Sequence, residues 1–439
     1  MNNTNLPENV TRLKVQPEVI PASRHGISPS SISNNAMKVM NRLNNAGYKS
    51  YLVGGCVRDL LLGIEPKDFD VVTDARPEQV RELIRNCRII GRRFRLAHVH
   101  YDREIIEVST FRASHKGPPE HAHSSEGRII RDNVYGDIDE DVWRRDFTVN
   151  ALFLEIINME ILDYVGALED IEKRILRVIG NPNTRYREDP VRMLRAIRFA
   201  AKLDFKIHEQ TAKQIHELNF LLEEISTARL FEEFVKLFMG GEALKTYHQL
   251  CQHGLFGYLF PQTDEILREE KFGQTDALLK SAFKNTDLRL VEQKPVTPAF
   301  LLAAILWTPV INQLDRYKQK SLSDTEAMEL ASDAVFSRQV ATLAIPRRFT
   351  RMTREIWTLQ NRFNQMQGSK PYRLLSHPRF RAAYDFLLLR EQAGEDVGNL
   401  TDWWTGFQAE NFERYKYKSN RTSSHRGRRF QRDRSNRRR

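Results

Sequence analysis

Asp68 and Asp70, in the segment Pro66-Lys67-Asp68-Phe69-Asp70-Val71-Val72, are the residues whose type and spacing speak most directly of chemistry. Side chains two apart on an extended strand share a face, so the two carboxylates converge while Phe69 and Val71 turn toward a core. Converging carboxylates suit a hard cation. Mg²⁺ binds through one or two carboxylates plus substrate phosphates, and a metal pair can stabilise both the attacking and the leaving oxygen of a phosphoryl displacement. Taken alone, an Asp-x-Asp pair is also what a solvated strand face carries.

The upstream run Tyr51-Leu52-Val53-Gly54-Gly55-Cys56-Val57-Arg58-Asp59 adds the element that would hold a phosphate. Gly54 and Gly55 end an apolar strand and open a helix through Val57, Leu60, Leu61 and Leu62, which Gly63 stops. Without β-carbons, backbone N–H groups can approach phosphate oxygens, the helix start adds partial positive charge, and Arg58 offers a planar fork of donors. A tight strand-to-helix turn beside a surface arginine is the plainer alternative.

The run from Tyr51 to Val72 resembles the signature of the polymerase-β-type nucleotidyltransferase superfamily, in the class shared by bacterial CCA-adding enzymes and bacterial poly(A) polymerases. Three later blocks follow in family order: Ile105-Ile106-Glu107-Val108-Ser109-Thr110-Phe111-Arg112, Arg144-Arg145-Asp146-Phe147-Thr148-Val149-Asn150, and Arg187-Glu188-Asp189-Pro190-Val191-Arg192-Met193-Leu194-Arg195. The resemblance implies an α/β, polymerase-β-like palm that binds two Mg²⁺ or Mn²⁺ ions at Asp68 and Asp70. Glu107 or Asp146 would be the third acid, with Asp146 alternatively holding the ribose. ATP would lie against Gly54, Gly55, Arg58, Arg145, Asp189, Arg192 and Arg195, with Asp189 and Arg192 reading the base edge in place of a template. From the residues alone, the last block is a helix after Pro190 with Arg192 and Arg195 on one face, equally a solvated basic face.

Within that class, Gly91-Arg92-Arg93-Phe94-Arg95-Leu96-Ala97-His98-Val99 resembles the poly(A) polymerase branch, as does Arg185-Tyr186-Arg187-Glu188-Asp189-Pro190. The implied activity is template-independent addition of AMP from ATP to RNA 3′ ends, with release of pyrophosphate. The alternatives are CCA addition to tRNA and, in another class, a noncatalytic RNA-binding protein. Intact Asp68, Asp70, Glu107 and Asp146 argue against the last, because paired acids repel unless a cation is present. Arg92, Arg93 and Arg95 could bind the RNA primer backbone or the triphosphate. The resemblance further implies a monomer, with RNA-decay proteins as partners.

Charge is distributed unevenly. The 439 residues carry 68 Lys+Arg against 57 Asp+Glu, a net charge of +11, of which +8 lies from Arg421 onward. That segment, with Arg428, Arg429, Arg437, Arg438 and Arg439 among its nine arginines and few apolar residues, reads as a disordered arm for polyanions. A protein-docking tail is its alternative. Met1 to Ser31 lacks a signal-peptide pattern, no apolar run reaches membrane-spanning length, and three scattered cysteines fit no disulfide framework, so a cytoplasmic protein is expected. His121 and His123 read as part of a polar loop rather than a metal site.

The domain reading follows: a flexible N-terminal arm over 1–32, a catalytic palm over 33–158, a neck over 159–240, a helical RNA-binding body over 241–408, and the arginine-rich tail over 409–439. Helices are expected at Asn34 to Asn45, Val191 to Leu203, Glu209 to Leu222, Thr227 to Met239, Gly241 to Gln252, Thr297 to Ile305, Asp324 to Leu343 and Pro346 to Met366. Trp307, Trp357, Trp403 and Trp404 are expected to pack in the core rather than stack on bases.

Overall fold

The computed structural model describes residues 16–91, 95–102, 104–113, 134–270, 273–319 and 322–411. Arg92, Arg93, the His121 and His123 loop and the arginine-rich tail lie outside them. The chain divides into two compact units, Met1–Leu221 and Leu222–Arg439.

The first unit is built on strands β1 (Glu18–Ile20), β2 (Ser50–Val53), β3 (Asp70–Thr73), β4 (Cys87–Ile90), β5 (Leu96–Tyr101), β6 (Glu104–Thr110), β7 (Leu152–Leu154) and β8 (Ile161–Asp163). They form one sheet in the order β1-β8-β7-β2-β3-β6-β5-β4. Only β3 and β6 pair in parallel within it; every other pairing is antiparallel. A mixed sheet of this kind needs a crossover between its parallel neighbours. β4 and β5 lie between β3 and β6 in the chain, together with a helix at Pro77–Leu83.

Two sequence expectations change here. The strand carrying the acids begins only at Asp70, so Asp68 sits in the bend before it rather than on it. Pro66 and the buried Phe69 pin that bend, and the strand's apolar run starts at Val71. The N-terminal arm is also not flexible throughout, because Glu18–Ile20 pairs with β8 and buries Ile20 completely. β8 itself extends the sheet beyond residue 158.

The helix at Asn34–Asn45 has the expected ends. Ser33 Oγ accepts from the N–H of Asn35 at 3.1 Å and of Ala36 at 3.4 Å, a cap worth about 1 kcal/mol. Gly54 enters the next helix, Gly55–Leu61, at φ +78°, a left-handed value that a side chain would strain. Val53, Val72, Phe111, Val142, Ala151, Phe153 and Ile179 form a buried cluster that joins β2, β3 and β7 to the Ile138–Arg144 helix.

The second unit is helical in its described residues, and none of its helices is long and apolar enough to cross a membrane. Helices at Thr227–Phe238, Ala243–Gln252, Pro298–Ile305, Asp324–Thr342 and Arg347–Arg362 match expectation to within a few residues. Those at Gln274–Val291, Trp307–Lys318 and Phe380–Gln392 escaped the sequence reading. In the first of these, Thr275 and Thr286 are buried among Leu278, Leu279, Ala282 and Phe283, so polar residues interrupt the apolar stripe. The tryptophans are core anchors: the indole N–H of Trp357 donates to the Ala303 carbonyl at 3.0 Å and that of Trp404 to the Phe363 carbonyl at 2.9 Å. Trp307 donates to Glu395 at 3.2 Å, and Trp403 packs partly buried on the Trp404 cluster.

Candidate active site

A cleft of about 620 Å³ in the first unit is lined by Gly54, Gly55, Arg58, Asp68, Asp70, Arg144, Arg145, Asp146, Asn150, Asp189, Arg192, Arg195, Arg198 and Phe199. Four separate stretches of chain meet there. The end of β2 and the Gly55–Leu61 helix supply the glycines and Arg58, and the approach to β3 and its first residue supply Asp68 and Asp70. The end of Ile138–Arg144 and the turn after it supply Arg144, Arg145, Asp146 and Asn150, and the Val191–Leu203 helix, with Asp189 just before it, supplies Arg192, Arg195, Arg198 and Phe199.

The cleft's acids are of two kinds. Asp70 is pushed up to about 6, first by burial and then by the charges of Glu107 and Asp68, with Arg145 pulling the other way. Such a carboxylate is short of positive charge. Asp146 is the opposite case: burial would raise it, but the Arg195 charge and its hydrogen bonds hold it below the usual carboxylate range. Arg195 donates to Asp146 Oδ2 through Nε at 2.8 Å and Nη2 at 2.5 Å. Oδ1 accepts from Asn150 Nδ2 at 3.1 Å and from the Phe147 N–H at 2.8 Å. Both oxygens of Asp146 are thus occupied by protein donors.

Glu107 stands in register with Asp70 on one side and His98 on the other, a row across β3, β6 and β5. Its carboxylate lies 3.4 Å from His98 Nε2, and it does not line the cleft. No group of three or more metal-ligating side chains is assembled among the described residues. Asp68 and Asp70 still fit a divalent ion, because both carboxylates face one cleft, Asp70 is short of positive charge there, and Mg²⁺ completes its shell with water and phosphate.

The arginines are held from behind. Arg58, 2% exposed, donates to Asp59 Oδ1 through Nε at 2.9 Å and Nη2 at 2.6 Å, and to Asn150 Oδ1 through Nη1 at 2.5 Å. Arg145 grips Asp141 at 2.8 and 3.1 Å and lies over the Phe153 ring. Arg192 donates through Nη1 to the Arg185 carbonyl at 2.8 Å and to Glu188 at 3.0 Å. Arg185 in turn donates to the carbonyls of Arg144 at 2.9 Å and Arg145 at 2.7 Å, tying the turn before Asp146 to the Pro182–Glu188 helix. Burial and the neighbouring Arg192 charge lower Arg185 to about 10.

The structure therefore gathers Gly54, Gly55, Arg58, Asp68, Asp70, Arg145, Asp146, Asp189, Arg192 and Arg195 around one cleft and leaves Glu107 at its margin. Asn150, Arg144, Arg198 and Phe199 also line it, and sequence reasoning assigned them no role. A signal for one of them existed. Phe199 lies four residues from Arg195 on the Val191–Leu203 helix, one turn along the same face.

A glycine-led helix facing carboxylates on a mixed sheet, with arginines across the gap, is the arrangement of a nucleotidyltransferase. The fold agrees: a CCA-adding enzyme in its apo form II superposes with a TM-score of 0.63 at 19% identity, covering 90% of this chain and 87% of that one. Three family models match in order, the poly A polymerase head domain over residues 50–177, the probable RNA and SrmB-binding site of polymerase A over 204–267, and the polymerase A arginine-rich C-terminus over 320–439. Poly(A) polymerase I of Salmonella typhimurium is 48% identical over 398 residues, 89% of this chain and 86% of that protein. A CCA-adding enzyme of Lactobacillus helveticus is 38% identical over 212 residues, 48% of this chain and 51% of that protein. The chain belongs to the poly(A) polymerase I family.

Proposed function

We infer that this chain is a polynucleotide adenylyltransferase that adds AMP from ATP to RNA 3′ ends and releases pyrophosphate. The observation that carries the reading is one cleft, in a chain of this family, where a cation-seeking acid pair faces arginines braced by protein acceptors. CCA addition is not favoured, since the CCA-adding relative matches only half of the chain. A noncatalytic RNA-binding protein would have no use for the charge-starved Asp70.

Asp68 and Asp70 would hold two divalent ions, Mg²⁺ or Mn²⁺, which when bound supply charge to the RNA 3′ oxygen and to the departing pyrophosphate. The N–H groups at Gly54 and Gly55 and the guanidinium of Arg58 offer donors to the triphosphate. Arg195, clamped by Asp146, keeps a partly exposed edge toward the cleft and can neutralise phosphate without swinging. Asp189 and Arg192 supply an acceptor and a donor at the far side. Adenine and cytosine both present an amino donor beside a ring-nitrogen acceptor, whereas guanine and uracil reverse that order. The pair thus reads A or C against G or U, and the body of the pocket must separate ATP from CTP.

Arg192→Ala should raise the KM for ATP about tenfold or more and narrow the preference for ATP over GTP and UTP, the scale of a lost hydrogen bond to charge. Extension of a labelled RNA with ATP, GTP and UTP in turn, by the parent and the variant, measures it. An unchanged KM and base preference would remove Arg192 from the nucleotide site.

The tail beyond Asn420, rich in arginine, would bind RNA phosphates without entering the chemical step. A chain ending at Asn420 should bind RNA less tightly and with a shallower salt slope, yet add single adenylates at saturating RNA. Unchanged salt dependence and product length would instead make the segment a protein-docking tail.

A further inference from the structure

We propose that Asn150 is a positioning residue that locks three arginines of the cleft into one polyphosphate-binding array. The inference rests on the reading that the cleft takes a nucleoside triphosphate. Asn150 is 8% exposed and lies in the short turn Thr148–Asn150 that follows Asp146. Its Oδ1 accepts from Arg58 Nη1 at 2.5 Å, its Nδ2 donates to Asp146 Oδ1 at 3.1 Å, and its carbonyl accepts from Arg145 Nη1 at 3.4 Å. Asp146 carries the link onward to Arg195 through two further bonds at 2.8 and 2.5 Å.

The chemistry of the neighbours dictates the amide. A guanidinium only donates, so the group facing Arg58 must accept; an ionised carboxylate only accepts, so the group facing Asp146 must donate. Asparagine offers both at that reach. Aspartate would set a second carboxylate against Asp146, and alanine would leave Arg58 short of an acceptor in a buried place.

Like charges need this support. The guanidinium carbons of Arg58, Arg195 and Arg198 lie 5.6, 5.3 and 4.7 Å from the centre of the Phe199 ring, so three cations share one aromatic platform, Arg58 and Arg195 among them. The mutual repulsion of Arg58 and Arg195 is tolerable because Asp59, Asn150 and Asp146 fix each fork from behind, and a bound polyphosphate would turn the repulsion into affinity.

The test compares Asn150→Ala, Asn150→Asp and the double variant Asn150→Asp with Asp146→Asn. The expected result is a KM for ATP raised about tenfold in Asn150→Ala and further in Asn150→Asp, with weaker inhibition by inorganic pyrophosphate in step and RNA KM unchanged. The double variant, which exchanges donor and acceptor, should recover part of the pyrophosphate affinity that Asn150→Asp loses. A KM for ATP and a pyrophosphate inhibition constant within twofold of the parent in both single variants would overturn the proposal, as would equal losses for RNA and ATP. A lowered melting temperature with unchanged ATP affinity would make Asn150 a residue of the fold alone. Failure of the parent itself to be inhibited by pyrophosphate would instead strike at the nucleotide reading.

Discussion

Asp70→Asn should extinguish adenylate transfer and, in the metal-free protein, make the chain more stable at neutral pH. The loss of activity is expected at roughly a thousandfold or more in kcat, the scale of removing an electrostatic stabiliser from a transition state. The gain in stability follows from the carboxylate's surroundings. Burial and the charges of Glu107 and Asp68 raise Asp70 to about 6, so ionising it costs more in the folded chain than in the unfolded one. Between about pH 4 and 6 the folded state holds the extra proton, and stability falls as pH rises through that window. Asparagine removes the penalty. Because the Asp70 side chain opens onto the cleft, water screens the effect, and a gain of about 1 kcal/mol is expected above pH 6, vanishing below pH 4. Mg²⁺ should raise the melting temperature of the parent and not of the variant. An extension assay measures the activity, urea unfolding at pH 7 and pH 4 the stability gain, and thermal melting with and without Mg²⁺ the metal effect; equal stability of the two proteins at pH 7 without metal would mean that Asp70 is not starved of charge.

Asp146→Ala should do the reverse to stability. Its carboxylate is held low by Arg195 against the cost of burial, and four donors converge on its two oxygens. Removing it deletes both Arg195 hydrogen bonds, that of the Asn150 amide and the charge facing Arg195, a loss of about 3 kcal/mol for a broken, largely buried pair. The sign with pH also differs from Asp70. A carboxylate whose folded pKa is depressed contributes stability above its unfolded pKa near 4 and loses it as pH falls through the folded value. Acid should therefore unfold the parent below pH 4 while narrowing the gap between parent and variant. A urea midpoint for Asp146→Ala equal to that of the parent at pH 7 would contradict the account. Nucleotide affinity should fall as well, since Arg195 loses the clamp that aims it.

The contrast between these two acids was not legible in the sequence. There Asp68 and Asp70 read as the metal pair and Asp146 as a third acid or a ribose holder, all by family resemblance, and only the hydrogen bonds separate a cation seeker from an acid already saturated by protein donors. The glycine turn and the helix at Val191–Leu203 follow from local patterns, since glycine at positive φ and helical spacing act over a few residues, whereas Glu107 beside Asp70 is implied only by the family resemblance. Asn150 and Phe199 needed the fold. Both meet Arg58, which comes from a different stretch of the chain, and no periodicity announces such a meeting. Asp68 shows the limit of spacing as evidence, since it reaches the cleft from a bend where alternation along a strand would have served as well.

The most direct test is extension of a short labelled RNA by the purified chain with Mg²⁺ and each of the four nucleoside triphosphates in separate reactions. The account predicts a long ladder of added residues with ATP, little with CTP, and almost none with GTP or UTP. A chain that adds one or two cytidines as readily as adenosines and builds no ladder with ATP, or one that incorporates no nucleotide at all, would contradict it.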